Sequence, residues 1–265
     1  MKTLKTIITL GILALSTAAC SQNHTYRSGM FGGKVVKASK NYVTKDIRVS
    51  DFTGLNLAGS PDVIYTQKAG KPKVEVYTSD NIVDLLDISV TGQTLNVKFK
   101  KGVSVSYDKL EIRISSATLD KIHIAGSGDV KLANGLKTDN LKISVAGSGD
   151  IQGSDITCTN LTTSVSGSGD LKLSGISADC TEASVAGSGT TVLRGTTREA
   201  NYRVAGSGDL FASDLQAKHI TANVAGSGDI KCHATDHLKA RISGSGDIGY
   251  KGNPELDAPK KVHRL

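Results

Sequence analysis

From residue 120 to residue 250 apolar and polar residues alternate: Leu141, Ile143 and Val145 are separated by Lys142 and Ser144, and Leu171 and Leu173 by Lys172. A period of two marks a strand with one buried face. The alternating stretches are short and bounded by Gly, Ser, Asp and Asn, and none sustains the 3.6-residue period of an amphipathic helix. The pattern predicts many short strands and no helix here.

The punctuation between these strands repeats. Gly-Ser-Gly occurs at 126–128, 147–149, 167–169, 187–189, 206–208, 226–228 and 244–246, at intervals of 21, 20, 20, 19, 20 and 18. The residues that follow are Asp129, Asp150, Asp170, Thr190, Asp209, Asp229 and Asp247. Two residues before the first Gly stand Ile124, Val145, Val165, Val185, Val204, Val224 and Ile242, all β-branched. A sandwich would pair neighbours as hairpins and alternate the orientation of identical repeats. A parallel solenoid instead stacks each repeat in register, Val145 on Val165 on Val185, about 4.8 Å apart. The Leu-x-x-Leu-x-Leu signature of leucine-rich repeats is missing. The chain is therefore read as all-β, with a β-solenoid of ~20-residue coils over 119–252, and seven coils would make a rod of about 30–35 Å. Gly-Ser-Gly suits a coil corner, because Gly reaches positive φ and lets corners stack closely.

Segment 41–118 is a less regular β region read as the solenoid's N-terminal cap. Leu57-Ala58-Gly59-Ser60-Pro61-Asp62-Val63 echoes Ile124-Ala125-Gly126-Ser127-Gly128-Asp129-Val130, as a divergent coil or part of that cap. Strands are expected at 46–50, 62–67, 73–78, 94–100 and 109–115, with Ser79 capping a short helical turn through Ile82, Val83, Leu85 and Leu86. An open solenoid end exposes strand edges, so an atypical cap is expected on physical grounds.

Composition changes the picture mainly at the N-terminus. Lys2 and Lys5 precede an apolar run from Ile7 to Ala19, too short for a membrane span but suited to a signal peptide over 1–19. It ends Leu15-Ser16-Thr17-Ala18-Ala19-Cys20, which resembles the lipobox of bacterial lipoproteins, although Thr17 stands where an apolar residue is usual. The resemblance implies acylation of Cys20, a tether over 20–40, and an exported envelope protein, anchored at the outer membrane and facing the periplasm or the surface. Ordinary cleavage after Ala19 is the alternative. The whole chain carries 32 basic and 25 acidic residues for a net charge of +7, but the lysines are scattered apart from Lys98-Phe99-Lys100-Lys101 and Lys260-Lys261. That distribution argues against nucleic acid as a partner. Trp is absent and aromatic residues make 4%, few for a protein that reads sugars or bases by stacking. Cys158, Cys180 and Cys232 are read as buried or idle thiols.

The sharpest chemical feature is the acidic column Asp129, Asp150, Asp170, Asp209, Asp229 and Asp247. Carboxylates stacked about 4.8 Å apart repel. Either they accept backbone N–H bonds at the corner, or they bind a cation such as calcium, which needs 6–8 oxygen ligands. Thr190 interrupts the column, which suits the first reading. Cys232, His233 and His237 are too loosely spaced for a metal motif, and Cys232 falls on an interior position. His24, His123, His219 and His263 form no linear signature. Arg113, Arg194, Arg198, Arg203 and Arg241 are read at different repeat positions, and Arg198-Glu199 as a solvated ion pair. A Gly-Ser-Gly that recurs seven times is a structural element rather than a nucleophile elbow. No catalytic residue, cofactor or metal site is assigned.

The repeated Ser/Ala-Gly-Ser-Gly-Asp-Ile/Val, preceded by Ile47-Arg48-Val49-Ser50-Asp51-Phe52-Thr53-Gly54-Leu55 and ended by Gly249-Tyr250-Lys251-Gly252-Asn253-Pro254, resembles the GIN-domain family, the auto-transporter adhesin head domains. The resemblance covers about 41–254. It implies a right-handed parallel β-helix, export, and frequent lipidation, and it carries over no catalytic residues. Relatives often add another Gly-Ser-Gly after the Asn-Pro segment. Here 253–265 is a C-terminal tail ending in Lys260-Lys261-Val262-His263-Arg264-Leu265, so the last coil is expected to be shortened or differently capped. The expected function is non-catalytic binding on the membrane, adhesin-like or structural, with a protein, a glycan or its own copies as partner. A β-helix polysaccharide-active enzyme and a self-associating envelope scaffold are the alternatives.

Overall fold

The computed structural model describes residues 35–265. The signal peptide, Cys20 and most of the expected tether lie outside the described residues. Strands dominate, and none of the described helices is long and apolar enough to cross a membrane.

The repeats form a parallel β-solenoid. Register sets Val145 beside Val165, then Val185, Val204, Val224 and Ile242. Alternation along each strand sends these side chains inward with two further columns. One runs Ile143, Thr163, Ala183, Tyr202, Ala222, Ala240, and the other Leu141, Leu161, Thr181, Ala200, Ile220, Leu238. All of these but Ile242 are buried. Beyond the corner a fourth column, Val130, Ile151, Leu171, Thr191, Leu210, Ile230, Ile248, faces them from a second side. Side-chain volume is balanced along a column: Tyr202, fully buried, has Ala183 below it and Ala222 above. Close packing makes such compensation necessary, because a stacked column cannot widen at one rung.

At the N-terminal end, chain order and stacking order part. Strand Gly54–Gly59 lies against Lys121–Gly126 on one side and Thr94–Phe99 on the other. Asp62–Gln67 likewise lies between Val130–Leu132 and Leu110–Ser116. The 57–63 echo is thus a true coil, with Leu57 beside Ile124 and Gly59 beside Gly126. The chain then leaves this coil, builds the one beneath it from 94–99 and 110–116, and returns above it at 121. Antiparallel strands Lys73–Ser79, Tyr42–Ile47 and Leu86–Thr91 complete the end.

Three expectations are corrected here. Leu86 belongs to a strand, not a helical turn: Leu86–Thr91 and Thr94–Phe99 form a hairpin whose two turn residues, Gly92 and Gln93, both have positive φ (54° and 61°), the primed turn that suits strand twist. The helix is confined to Asp80–Val83, and Ser79 does not cap it. The Ser79 hydroxyl donates instead to the Ser39 carbonyl at 2.7 Å. Residues 253–265 are not a free tail: Glu255–Asp257 pairs with 237–239 and Val262–Arg264 with 248–250, a further partial coil. At the other end Val35–Lys37, placed in the tether by sequence, pairs with Ser104–Ser106.

The corner explains the glycines. At Gly167 φ is +135°, and an added Cβ would lie 2.3 Å from the Gly147 carbonyl oxygen. Gly70, in a surface turn, has φ +112° and nothing within 4 Å of such a Cβ. Both Gly→Ala changes carry the positive-φ cost of about 1–2 kcal/mol. Gly167→Ala adds a backbone clash that the stacked coils cannot relieve. We expect Gly167→Ala to lower stability by about 3 kcal/mol or more and Gly70→Ala by no more than about 2 kcal/mol, read as denaturation midpoints of the two variants. Equal shifts would show that coil stacking tolerates a side chain at the corner.

Candidate functional site

Backbone groups at each corner are paired with the neighbouring coil, and the aspartate completes the set. The carbonyl of the first Gly accepts two N–H bonds from the next coil: Gly147 O takes Ser168 N at 2.9 Å and Gly169 N at 3.1 Å. The Asp carbonyl accepts from the coil below, as Ile151 N to Asp170 O at 2.9 Å. One donor is left over, the N–H of the Asp itself. It goes to the Asp side chain of the coil below: Asp150 N to Asp129 Oδ1 2.8 Å, Asp170 N to Asp150 Oδ1 2.8 Å, Asp229 N to Asp209 Oδ1 2.9 Å, Asp247 N to Asp229 Oδ1 3.0 Å. Asp62, aligned with Asp129 in the Leu57–Val63 echo, starts the ladder by accepting from Asp129 N at 3.1 Å. Thr190 N donates to Asp170 Oδ1 at 3.1 Å, but Thr190 offers no carboxylate to the next coil, and Asp209 N turns to the Gly189 carbonyl at 3.2 Å. The second oxygens face outward, where Asp170 meets Lys172 and Asp247 meets His263 Nδ1 at 3.1 Å. Partial burial pushes the Asp62 carboxyl above its ordinary range; the Asp129 N–H bond pulls it down and the Asp129 charge raises it. Among the described residues no three His, Cys, Asp or Glu side chains stand in metal-holding geometry.

The broad surface is the outward face of the sheet that runs into each corner. Three columns cover it. The one nearest the corner is small: Ala125, Ala146, Ser166, Ala186, Ala205, Ala225, Ser243. The next runs His123, Ser144, Ser164, Ser184, Arg203, Asn223, Arg241, and the third Lys121, Lys142, Thr162, Glu182, Asn201, Thr221, Lys239. Arg203 and Arg241, read from sequence at different repeat positions, thus share one column: each lies three residues before its first Gly, an offset that counting back from the corners reveals. A shallow groove of about 590 Å³ is lined by Arg203, Asn223, Arg241, Ser243, Asp257 and Pro259 among others. Its far wall is held by Arg241, whose guanidinium donates to both Asp257 carboxylate oxygens (3.1 and 2.9 Å) and to the Asp257 carbonyl (3.0 Å). Arg203 has no carboxylate partner among the described residues and also lines a second, smaller groove with Thr162, Glu182, Ser184 and Asn201.

The family model described as "Putative auto-transporter adhesin, head GIN domain" matches residues 51–178 and 176–254. The chain belongs to this family. Three solved structures share the GIN-domain fold seen here. A "putative lipid binding protein" from Parabacteroides distasonis is 31% identical with a TM-score of 0.83, covering 88% of this chain and 100% of that one. A "putative adhesin" from Parabacteroides merdae is 28% identical with a TM-score of 0.82, covering 87% and 98%. A second P. distasonis protein, also a "putative adhesin", is 28% identical with a TM-score of 0.83, covering 88% and 100%. No curated protein matches the chain. In this GIN domain the Gly-Ser-Gly-Asp signature does a backbone job, and the outward columns are left to present side chains to a partner.

Cysteine chemistry divides by burial. Cys232 is fully buried, and burial pushes its thiol up to about 12; Cys158 is pushed up to about 11 for the same reason. Cys180 lies on the outward side of its strand, partly exposed, and all three are free.

Two outcomes follow. Asp150→Ala leaves the Asp170 N–H without its acceptor and is expected to cost about 1–2 kcal/mol, whereas Asp150→Asn keeps an oxygen in place, removes a charge from the column, and is expected to be near neutral; chemical denaturation separates them, and equal losses would mean that charge rather than the accepted bond matters. In native protein at pH 8, iodoacetamide is expected to alkylate Cys180 and to leave Cys158 and Cys232 unmodified until unfolding, as peptide mass mapping would show.

Proposed function

We propose that the chain is an exported, non-catalytic binding protein, lipidated at Cys20 and held at the outer membrane, that presents the outward sheet face to an anionic group on a partner protein or glycan. The carrying observation is the guanidinium of Arg203, without a carboxylate partner among the described residues, at the junction of two grooves on an in-register sheet. Lys121, Lys142 and Lys239 extend positive charge along the same face, which steers anionic partners. The Ala/Ser column beside them keeps the surface flat, so that a large partner can approach. Solved relatives described as adhesins or a lipid-binding protein support a binding role, and Cys20 within a lipobox-like sequence supports the anchor.

The enzyme reading has less support, because Arg241 and Asp257, the acid–base pair closest to the larger groove, are tied to each other. End-to-end self-association is opposed by charge: the last strand, Val262–Arg264, carries His263 and Arg264 and follows Lys260 and Lys261, the kind of edge that resists pairing with another strand.

Radiolabelled palmitate is expected to label wild type and not Cys20→Ala, and protease added to intact cells is expected to cleave the wild-type protein. Full protection on intact cells would sink the adhesin reading. In parallel, binding of the full chain to extracted envelope polysaccharide and to anionic host mucin is expected to fall about tenfold in Arg203→Glu and to weaken with salt. Undiminished binding by that variant would move the site off this face.

A further inference from the structure

The outward face carries a fourth column that lies beyond the three described above. Counting back seven residues from the first Gly of successive corners gives Asn140, Asn160, Cys180, Glu199, His219 and His237. Parallel pairing stacks them rung on rung, and Glu255 of the last partial coil lies beside His237. The column begins as an amide ladder, with Asn160 Nδ2 donating to Asn140 Oδ1 at 2.7 Å. It then changes to five consecutive side chains that can each donate to a metal: thiol, carboxylate, imidazole, imidazole, carboxylate.

We propose that His219 and His237 hold a divalent transition-metal ion, Zn2+ by donor chemistry, with the carboxylate of Glu255 or Glu199 as third ligand and water completing the shell. Adjacent rungs are about 4.8 Å apart, a spacing at which two imidazole nitrogens can each sit about 2.0–2.1 Å from one ion between them. The space is present: a groove of about 430 Å³ is lined by Cys180, Glu199, His219, His237 and neighbours. Both flanks supply negative charge, and Glu255 Oε2 is already 4.0 Å from His237 Nδ1. The charged residues of the third column that line this groove are Glu182 and Lys239, whose charges offset each other, so that column adds no net positive charge there against a cation. In the conformation described, no three His, Cys, Asp or Glu donors are gathered among the described residues, and His219 and His237 are partners in the strand register. Rotation of the exposed Glu255 side chain, or release of Glu199 from Arg198, supplies the third donor, and exposed side chains change rotamer on the nanosecond scale. Two nitrogens with carboxylate favour zinc or copper over calcium, whose ligands are oxygens. The site is separate from the aspartate ladder, whose Oδ1 atoms are engaged with backbone.

Isothermal titration of the full chain with zinc chloride tests this. The expected result is one ion per chain held in the micromolar range, no heat with calcium chloride, and a melting temperature raised by zinc. His219→Ala and His237→Ala are each expected to weaken binding about tenfold or more, while His263→Ala, on the Asp247 corner, leaves it unchanged. Cys180→Ser is expected to change affinity little, since the thiol is two rungs from His219. Both His residues are outside the core, so the variants fold, and the unliganded melting temperature verifies it. Zinc affinity equal to wild type in both His219→Ala and His237→Ala, or no saturable uptake below about 1 mM, would overturn the proposal.

Discussion

The structure depends on how closely one coil corner can lie on the next. With hydrogen at Cα, the carbonyl of each first Gly comes within hydrogen-bonding reach of two N–H groups on the following coil, at 2.8–3.1 Å through the repeat region. A Cβ at Gly147, Gly167 or Gly187 would stand 2.2–2.4 Å from the carbonyl beneath it. Parallel strands on either side can stay in register only if the corner advances by the same rise per coil as the strands. Glycine at two of three corner positions is what lets it do so. The aspartate then takes up the one donor that this geometry leaves over, and a buried or half-buried N–H without an acceptor would weaken every coil.

From that fixed rise the core follows. Each inward position becomes a column, and each column must hold its volume within the space between two corners. Val or Ile repeats without change beside the corner, where space is uniform. Further from it Ala183, Tyr202 and Ala222 trade volume between rungs. The hydroxyls of Tyr202 and Thr191 are buried without a hydrogen-bond partner, a cost accepted inside an otherwise apolar stack. Coils pair with their immediate neighbours, so local variation in one coil, such as the 18-residue last interval, is absorbed by bulges away from the corner, as between Phe211 and Gln216.

The same register that stacks the core stacks the surface. Outward residues with no sequence relation become columns, and chemistry that is dispersed along the chain is concentrated on one face. Arg203 and Arg241 come two rungs apart, and His219 comes to lie beside His237. Function in such a fold is carried by combinations of rungs, while the corner signature that makes the family recognisable contacts little but its own backbone.

The coil, its corner and the inward columns could be read from the sequence alone, because glycine spacing and period-two alternation are local and repeat many times. The Gly59 coil was also visible, since Leu57 to Val63 preserves the pattern around Pro61. The surface columns were encoded as well: Arg203 and Arg241 lie three residues before their corners, and His219 and His237 seven. Those offsets become meaningful only once the corner is known to be the point from which register runs. What tertiary structure alone decided lies at the two ends. Strand 94–99 lies under 54–59, the chain returns over it at 121, and 255–257 closes beside 237–239. These pairings join segments with no shared motif, and they are chosen by the open edges of the solenoid, whose unpaired N–H and C=O groups accept whichever strand the chain can bring to them.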